Sequence, residues 1–172
     1  MPTMVLRLGA AMALILWMLT VAAPARADYE AGIRHYEAKR HLDAINEFTV
    51  LAERGHGGSE FMIGVMYFYG AGVPKDTGIA AVWFHKSALK GHPPAQLAFG
   101  SIHIRGVGVE QNLTDAYMWL MLAAQSNVPG LVTQATTLRD DAQKEMNAQQ
   151  VEDARRRARE WRPRRAGLVT GG

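Results

Sequence analysis

Residues 61–76 read Phe-Met-Ile-Gly-Val-Met-Tyr-Phe-Tyr-Gly-Ala-Gly-Val-Pro-Lys-Asp, and Ala80, Trp83 and Ala88 complete the pattern. The pattern recurs 36 residues later without a gap. Eight positions correspond at this one offset, and their second copies are Gly100, Gly106, Gly108, Val109, Asn112, Ala116, Trp119 and Ala124. A period of this size is typical of stacked arrays of supersecondary units. The repeat therefore predicts an architecture more directly than a function.

Each copy is predicted to form a helix, a loop and a second helix. In the first copy a helix over 59–69 precedes Gly70-Ala71-Gly72-Val73-Pro74, which no helix crosses because of its glycines and proline. Asp76 is well placed to cap a second helix over 77–90. The second copy repeats this arrangement, with helices predicted over 93–105 and 113–125 and a cap at Asn112.

Helix pairs are also predicted on both sides of the two copies. The pair before them, over 28–57, places Gly32 ahead of Phe48 at the spacing by which a small residue on one helix admits a bulky one on the next. Gly55 to Gly58 is predicted to end this pair. A fourth unit, 129–165, starts in register at Pro129, and its last helix should begin at an Asn147–Gln150 capping box. The last residues, 166–172, are predicted to be disordered.

The two copies resemble the Sel1-like repeat, a subclass of tetratricopeptide-like repeats. The resemblance rests on the pattern G-x-x-Y-x-x-G-x-G-V-x-x-D followed by A-x-x-W-x-x-x-A, with His103 at the second copy's Tyr position. It implies an all-α, right-handed α-solenoid of about four helix-turn-helix units, with repeats at 58–92 and 93–128. It also implies a concave face lined by first helices and a role in protein–protein interaction, often in the bacterial envelope. The family pattern holds packing residues and no catalytic or cofactor-binding ones.

Residues 1–27 are predicted to be a secretory signal peptide. Arg7 precedes an apolar run over 8–21, and Ala25-Arg26-Ala27 forms a small-x-small cleavage pattern. The run is shorter than the roughly 20 residues of a spanning helix. We therefore expect a mature chain that starts at Asp28, without a spanning segment, exported most simply to the periplasm.

The composition argues against a disulfide-stabilised protein and against a nucleic-acid-binding protein. The chain has no cysteine, so an exported product must rely on packing rather than disulfides. Residues 28–150 carry 10 Lys and Arg against 13 Asp and Glu, whereas 151–172 carry 7 Arg against 3 acids. The basic isoelectric point thus describes a tail on a mildly acidic body, and no nucleic-acid partner is predicted.

Two features of the sequence could indicate chemical activity, a Ser-x-x-Lys motif and the six histidines. Ser87-Ala88-Leu89-Lys90 fits the Ser-x-x-Lys nucleophile motif and would suit an envelope enzyme acting on cell-wall or β-lactam substrates, but its partner motifs Ser-Asp-Asn and Lys-Thr-Gly are absent. A chance match is the favoured interpretation. The histidines lack metal-ligand spacing, so neither a metal site nor a cofactor is predicted.

The arginine run from Arg155 to Arg165 has two interpretations. It could dock the chain on an anionic surface such as lipid headgroups. The favoured alternative is a solvated face of a capping helix, in which Glu152, Asp153 and Glu160 pair with several of the arginines.

The predicted partner site lies on the first helices, one turn either side of Gly64 and Gly100. Six residues are predicted to contact a protein or peptide partner: Phe61, Phe68, Tyr69, Leu97, Ser101 and Arg105. Aromatic residues and arginine are common anchors of interfaces. The same periodicity also fits Phe61 and Phe68 as core residues between units. Taken together, the sequence predicts an exported, non-catalytic interaction scaffold.

Overall fold

The computed structural model describes residues 28–164. The predicted signal peptide and the predicted disordered tail lie outside the described residues. Within 28–164 the chain is all-α, as predicted. Its helices are α1 (Tyr29–Glu37), α2 (His41–Glu53), α3 (Gly57–Tyr69), α4 (Thr77–Leu89), α5 (Pro93–Arg105), α6 (Leu113–Ala123), α7 (Pro129–Lys144) and α8 (Ala148–Glu160).

Consecutive helices pack in pairs, and the pairs stack. Helices α1 and α2 form unit 1, α3 and α4 form unit 2, and α5 and α6 form unit 3. Each unit meets the next through its second helix, so that α2 contacts α3, α4 contacts α5 and α6 contacts α7. The apolar core follows this stack, and its largest cluster joins α4, α5, α6 and α8.

One steric relationship recurs inside these three units. A Cβ atom placed on Gly32 would lie 2.5 Å from the ring of Phe48, and one placed on Gly64 would lie 2.6 Å from the ring of Phe84. The equivalent distance from Gly100 to Leu120 is 2.8 Å. Real Cβ atoms do not approach other carbon atoms so closely, so only glycine lets each pair of helices close to this distance. The predicted small-to-large packing in unit 1 is thus confirmed and extends to both repeats.

The predicted helix caps are confirmed. Asp76 accepts a hydrogen bond from the backbone N–H of Ile79 at 2.9 Å, and Asn112 accepts one from Asp115 at 3.0 Å. Each satisfies a donor that the first turn of a helix leaves unpaired. The capping box at the start of α8 also forms as predicted. Gly70 (φ 77°) and Gly106 (φ 65°) end α3 and α5 in the left-handed conformation.

The start of α3 differs from the prediction. Gly57 and Gly58 were expected to end unit 1, yet both belong to α3. The reason is a histidine cap, because His56 Nδ1 accepts a hydrogen bond from the backbone N–H of Ser59 at 3.1 Å. Gly58 serves close packing instead of a turn, since a Cβ there would lie 3.3 Å from the ring of Tyr29.

The last two helices do not pack side by side as the earlier pairs do. Helix α7 lies against α6 and α5, whereas α8 lies against α6. The chain then returns across the turn between α4 and α5. Trp161 meets Trp119 of α6 edge-on, with 6.3 Å between ring centroids, and at the end of α4 the backbone N–H of Arg164 donates to Leu89 O at 2.8 Å. The segment 161–164 therefore ties the end of the described chain to the middle of the array.

The glycine contact generates a stability prediction. Gly64→Ala should lower the free energy of unfolding by about 1–3 kcal/mol, because the buried ring of Phe84 must move to admit the methyl group. Chemical denaturation followed by circular dichroism measures the change. Gly130→Ala in α7 is the matched control, since nothing lies within 4 Å of its added Cβ. Equal stability of the two variants would contradict the steric argument.

Candidate functional site

A groove of about 400 Å³ lies between α3 and α5 and extends to the start of α7. All six predicted partner-contact residues line it. From α3 come Phe61, Phe68 and Tyr69, and from α5 come Leu97, Ser101 and Arg105. The structure thus brings the six side chains to one surface, which we call the α3–α5 groove. Their role in binding stays a prediction.

Several lining residues were not predicted. Val65 of α3, Phe84 of α4, and Pro94, Ala98 and Ile102 of α5 also line the groove. From α7 come Leu131 and Gln134. The signal for α7 was present, because Pro129 stands in register with Pro93 and marks another first helix.

Aromatic rings form one wall of the groove. The rings of Phe68 and Tyr69 meet edge-on, with 5.1 Å between centroids. Phe61 and Phe68 both contact Phe84, at centroid distances of 5.7 and 6.2 Å. The two interpretations of Phe61 and Phe68 are therefore compatible, because each half-buried ring contacts Phe84 of the core and also lines the groove. Tyr69 is different, since it is 70% exposed.

The opposite wall is the face of α5 that carries Leu97, Ser101 and Arg105. These residues are four apart and so lie one above another on the helix. The Ser101 hydroxyl donates to Leu97 O at 2.7 Å, which satisfies its proton inside the helix. Arg105 is exposed and forms no ion pair with any residue of 28–164.

The charge in the groove is positive and comes from Arg105. Arg105 is the sole charged side chain among the lining residues, all of which belong to the described chain. The two acids of α7 have ion-pair partners of their own, because Asp140 pairs with Arg139 at 2.7 Å and Asp141 with Lys144 at 2.6 Å. The surface is therefore an apolar groove with one free cation at its rim.

Ser87 and Lys90 both have structural partners. The buried Ser87 hydroxyl donates to Gly57 O at 2.6 Å. The Lys90 ammonium pairs with the buried Glu60 carboxylate at 2.5 Å. Both contacts fasten the end of α4 to the start of α3. Ser87 and Lys90 therefore stabilise the contact between α3 and α4 inside unit 2.

The histidines serve local packing. Among residues 28–164, no three His, Asp or Glu side chains are grouped so that they could hold a metal ion. His103 is buried and meets Phe99 edge-on at 4.7 Å. The His92 ring lies 5.3 Å from that of Phe61, beside the groove. Burial, with a smaller contribution from His56, lowers the pKa of His92 to about 4.

The arginines of α8 are largely engaged with their own chain. Arg156 pairs with Asp153, and Arg159 pairs with Glu152 at 2.9 Å. Arg157 bonds Asp115 on α6. Arg155 lies 3.5 Å from the hydroxyl of Tyr117, also on α6. This arrangement agrees with a capping-helix face; Arg165 lies outside the described residues.

No helix within 28–164 combines the length and the apolar character that a membrane span requires.

Comparisons with known proteins identify the repeat. The Sel1 repeat family matches residues 58–92 and 93–128. A protective antigen present in uropathogenic Escherichia coli, which displays an SLR fold, superposes with a TM-score of 0.71 at 26% identity over 77% of this chain. A Sel1 repeat protein from Oxalobacter formigenes superposes with a TM-score of 0.62 at 26% identity over 78% of this chain. The alignments span 28% and 56% of those two chains. No curated protein matches the sequence.

The histidine beside the groove generates a prediction of pH dependence. The folded chain holds His92 at a pKa of about 4, below its ordinary value of 6.5. Between these values the unfolded chain therefore binds a proton that the folded chain does not. The free energy of unfolding should accordingly fall as the pH drops from 6.5 to 4, and His92 contributes nothing further above 6.5.

The test compares the wild-type chain with His92→Asn, which keeps a polar residue at the N-cap of α5. Urea denaturation at pH 7 and at pH 4 should show a smaller loss of stability in the variant. An equal loss in both proteins would rule out His92 as a source of the acid sensitivity.

Proposed function

Because this chain carries two Sel1 repeats within a Sel1-like repeat fold, we propose that it is a non-catalytic scaffold that binds a protein or peptide in the α3–α5 groove. Sel1 repeats typically mediate protein–protein interactions. The proposal adds a location for the partner on this particular chain.

The observation that carries the proposal is the exposed aromatic and cationic rim of an otherwise apolar groove. Tyr69 leaves 70% of its surface exposed although it stands beside Phe68 and an apolar cleft. Tyrosine and arginine dominate the energetic centres of protein interfaces, because each combines a large contact area with a polar group. Tyr69 and Arg105 face the groove from opposite walls, so one occupant can contact both.

An enzymatic role on cell-wall or β-lactam substrates has less support. The Sel1 repeat family is generally a non-catalytic helical scaffold. The chemistry of the Ser-x-x-Lys motif needs a serine whose proton a lysine accepts. In this chain Ser87 donates to Gly57 O and Lys90 pairs with Glu60, so the two side chains hold α3 and α4 together.

Docking on an anionic surface through the arginine run also has less support. A docking surface needs cations that are free to meet external charges. Arg156, Arg157 and Arg159 each have a carboxylate partner within the described chain.

Export is a further part of the proposal. It is supported by the sequence of residues 1–27, with its short positive start, its apolar run and its small-residue cleavage pattern. An exported scaffold would meet its partner in the bacterial envelope, most simply in the periplasm.

The groove assignment predicts a loss of partner capture in Tyr69→Ala. Removal of an interface anchor should weaken capture roughly tenfold or more. Folding should be little affected, because the side chain is exposed. Quantitative mass spectrometry of proteins captured from a bacterial envelope extract measures the loss. Leu42→Ala is the matched control, because Leu42 is 68% exposed on α2, away from the groove.

Equal capture by Tyr69→Ala and the wild-type chain would exclude the groove as the partner site. Equal losses in Tyr69→Ala and Leu42→Ala would point to nonspecific adhesion through exposed apolar surface.

The export assignment predicts a mature protein that begins at Asp28. Intact-mass measurement of the protein in the periplasmic fraction, after expression of the full chain in a bacterium, should show the loss of residues 1–27. Ala27→Tyr should block cleavage, because the position before the cut requires a small side chain. Recovery of the uncut wild-type chain from the cytoplasm would contradict export.

A further inference from the structure

We propose that the occupant of the α3–α5 groove is a short extended peptide segment with apolar side chains and one carboxylate, which binds Arg105. This inference rests on the proposed function, which requires only that some protein or peptide occupies the groove. It adds the chemistry, the length and the direction of that occupant.

Charge complementarity to Arg105 is the reason to expect a carboxylate on the bound peptide. The groove has no acidic lining residue, and Arg105 has no ion-pair partner among residues 28–164. The guanidinium group is planar and offers a pair of parallel N–H donors that match the two oxygens of a carboxylate. An apolar occupant without an anion would leave this cation without a partner at the edge of a desolvated surface. An anionic group at that end removes the mismatch.

The dimensions of the groove set the length of the occupant. The groove follows α5 from Pro94 to Arg105, and at 1.5 Å per residue this distance is about 16 Å. An extended chain advances 3.3–3.6 Å per residue, so about five residues fill the groove from end to end.

The side chains that line the two ends of the groove determine the orientation of the bound peptide. The end near the start of α5 is mainly apolar and is lined by Phe61, Leu97 and Leu131, with Gln134 as a neutral polar residue. The other end carries Tyr69 and Arg105. The occupant should therefore place aliphatic or aromatic side chains at the Leu131 end and its carboxylate at the Arg105 end. One apolar residue beside the carboxylate would lie against Tyr69.

The carboxylate has two possible sources, an Asp or Glu side chain and the terminal carboxyl group of a peptide. Both present the same two oxygens to Arg105. The experiment separates them with pools of synthetic hexapeptides whose first five positions are randomised over apolar residues. The sixth position is Asp with an amidated end, Asn with an amidated end, Asn with a free carboxyl end, or Lys with an amidated end.

Affinity selection of each pool on the full-length protein, read by mass spectrometry, tests the inference. At least one of the two carboxylate-bearing pools should be retained roughly fivefold to tenfold more than the amidated Asn pool, as expected for a charge-assisted hydrogen bond at a partly exposed site. Retention of the aspartate pool but not the free-carboxyl pool assigns a side chain, and the converse assigns a chain terminus.

Two variants locate the preference. Arg105→Gln should abolish the preference for carboxylates, and Arg105→Glu should reverse it in favour of the Lys pool. Arg54→Gln is the matched control, because Arg54 is an exposed arginine beside α2 that has no ion-pair partner within residues 28–164. It should retain the wild-type preference.

The outcomes separate this inference from the proposed function. Equal retention of all pools, with binding that is lost in Tyr69→Ala, overturns the carboxylate assignment and leaves the groove as the partner site. Retention that Tyr69→Ala does not affect overturns the groove and the carboxylate assignment together. Absence of retention in every pool overturns the short-peptide inference, while the capture experiment reports separately on a folded protein partner.

Discussion

The fold depends on how closely the two helices of each unit approach one another. A glycine on the first helix receives a bulky side chain from the second, as Gly64 receives Phe84 and Gly100 receives Leu120. This contact fixes the position of the second helix, which in turn provides the surface on which the next unit stacks. It also forms the floor of the α3–α5 groove, since Phe84 reaches that surface from α4. The spacing that holds a unit together therefore also positions the candidate site.

Much of this arrangement could be predicted because it depends on residues close together in sequence. A cap involves a side chain and an amide group three residues later, as at Asp76 and Ile79. A helix pair is defined by its own glycine, its loop and the bulky residue that packs on the glycine. The groove could be anticipated for the same reason, because Tyr69 and Arg105 occupy the same position in successive repeats. Residues at one repeat position face the same side of the array.

The features that could not be predicted depend on contacts between distant segments. Val151, Ala154 and Ala158 indicated an apolar face on α8, but their spacing carries no information about which helix covers that face. In the structure the cover is α6 instead of α7. Trp83 is a second example, because it belongs to the repeat pattern yet its ring is only half-buried, with the Lys86 ammonium 4.3 Å from the ring centroid. The start of α3 was misplaced because glycine serves both turns and close packing, and the sequence around Gly58 does not distinguish the two.

After α8 the chain returns across the turn between α4 and α5. This contact changes how the array can unfold locally. In a linear stack the terminal unit touches one neighbour and frays first, so that local unfolding proceeds inward one unit at a time. Here Trp161, which directly follows α8, meets Trp119 of unit 3, and the backbone N–H of Arg164 donates to Leu89 O of unit 2. Detachment of the last helix would expose the interior of the array instead of its edge. Because α6 and α8 share buried contacts on this side of the molecule, we expect their amide protons to exchange with solvent through a shared opening event.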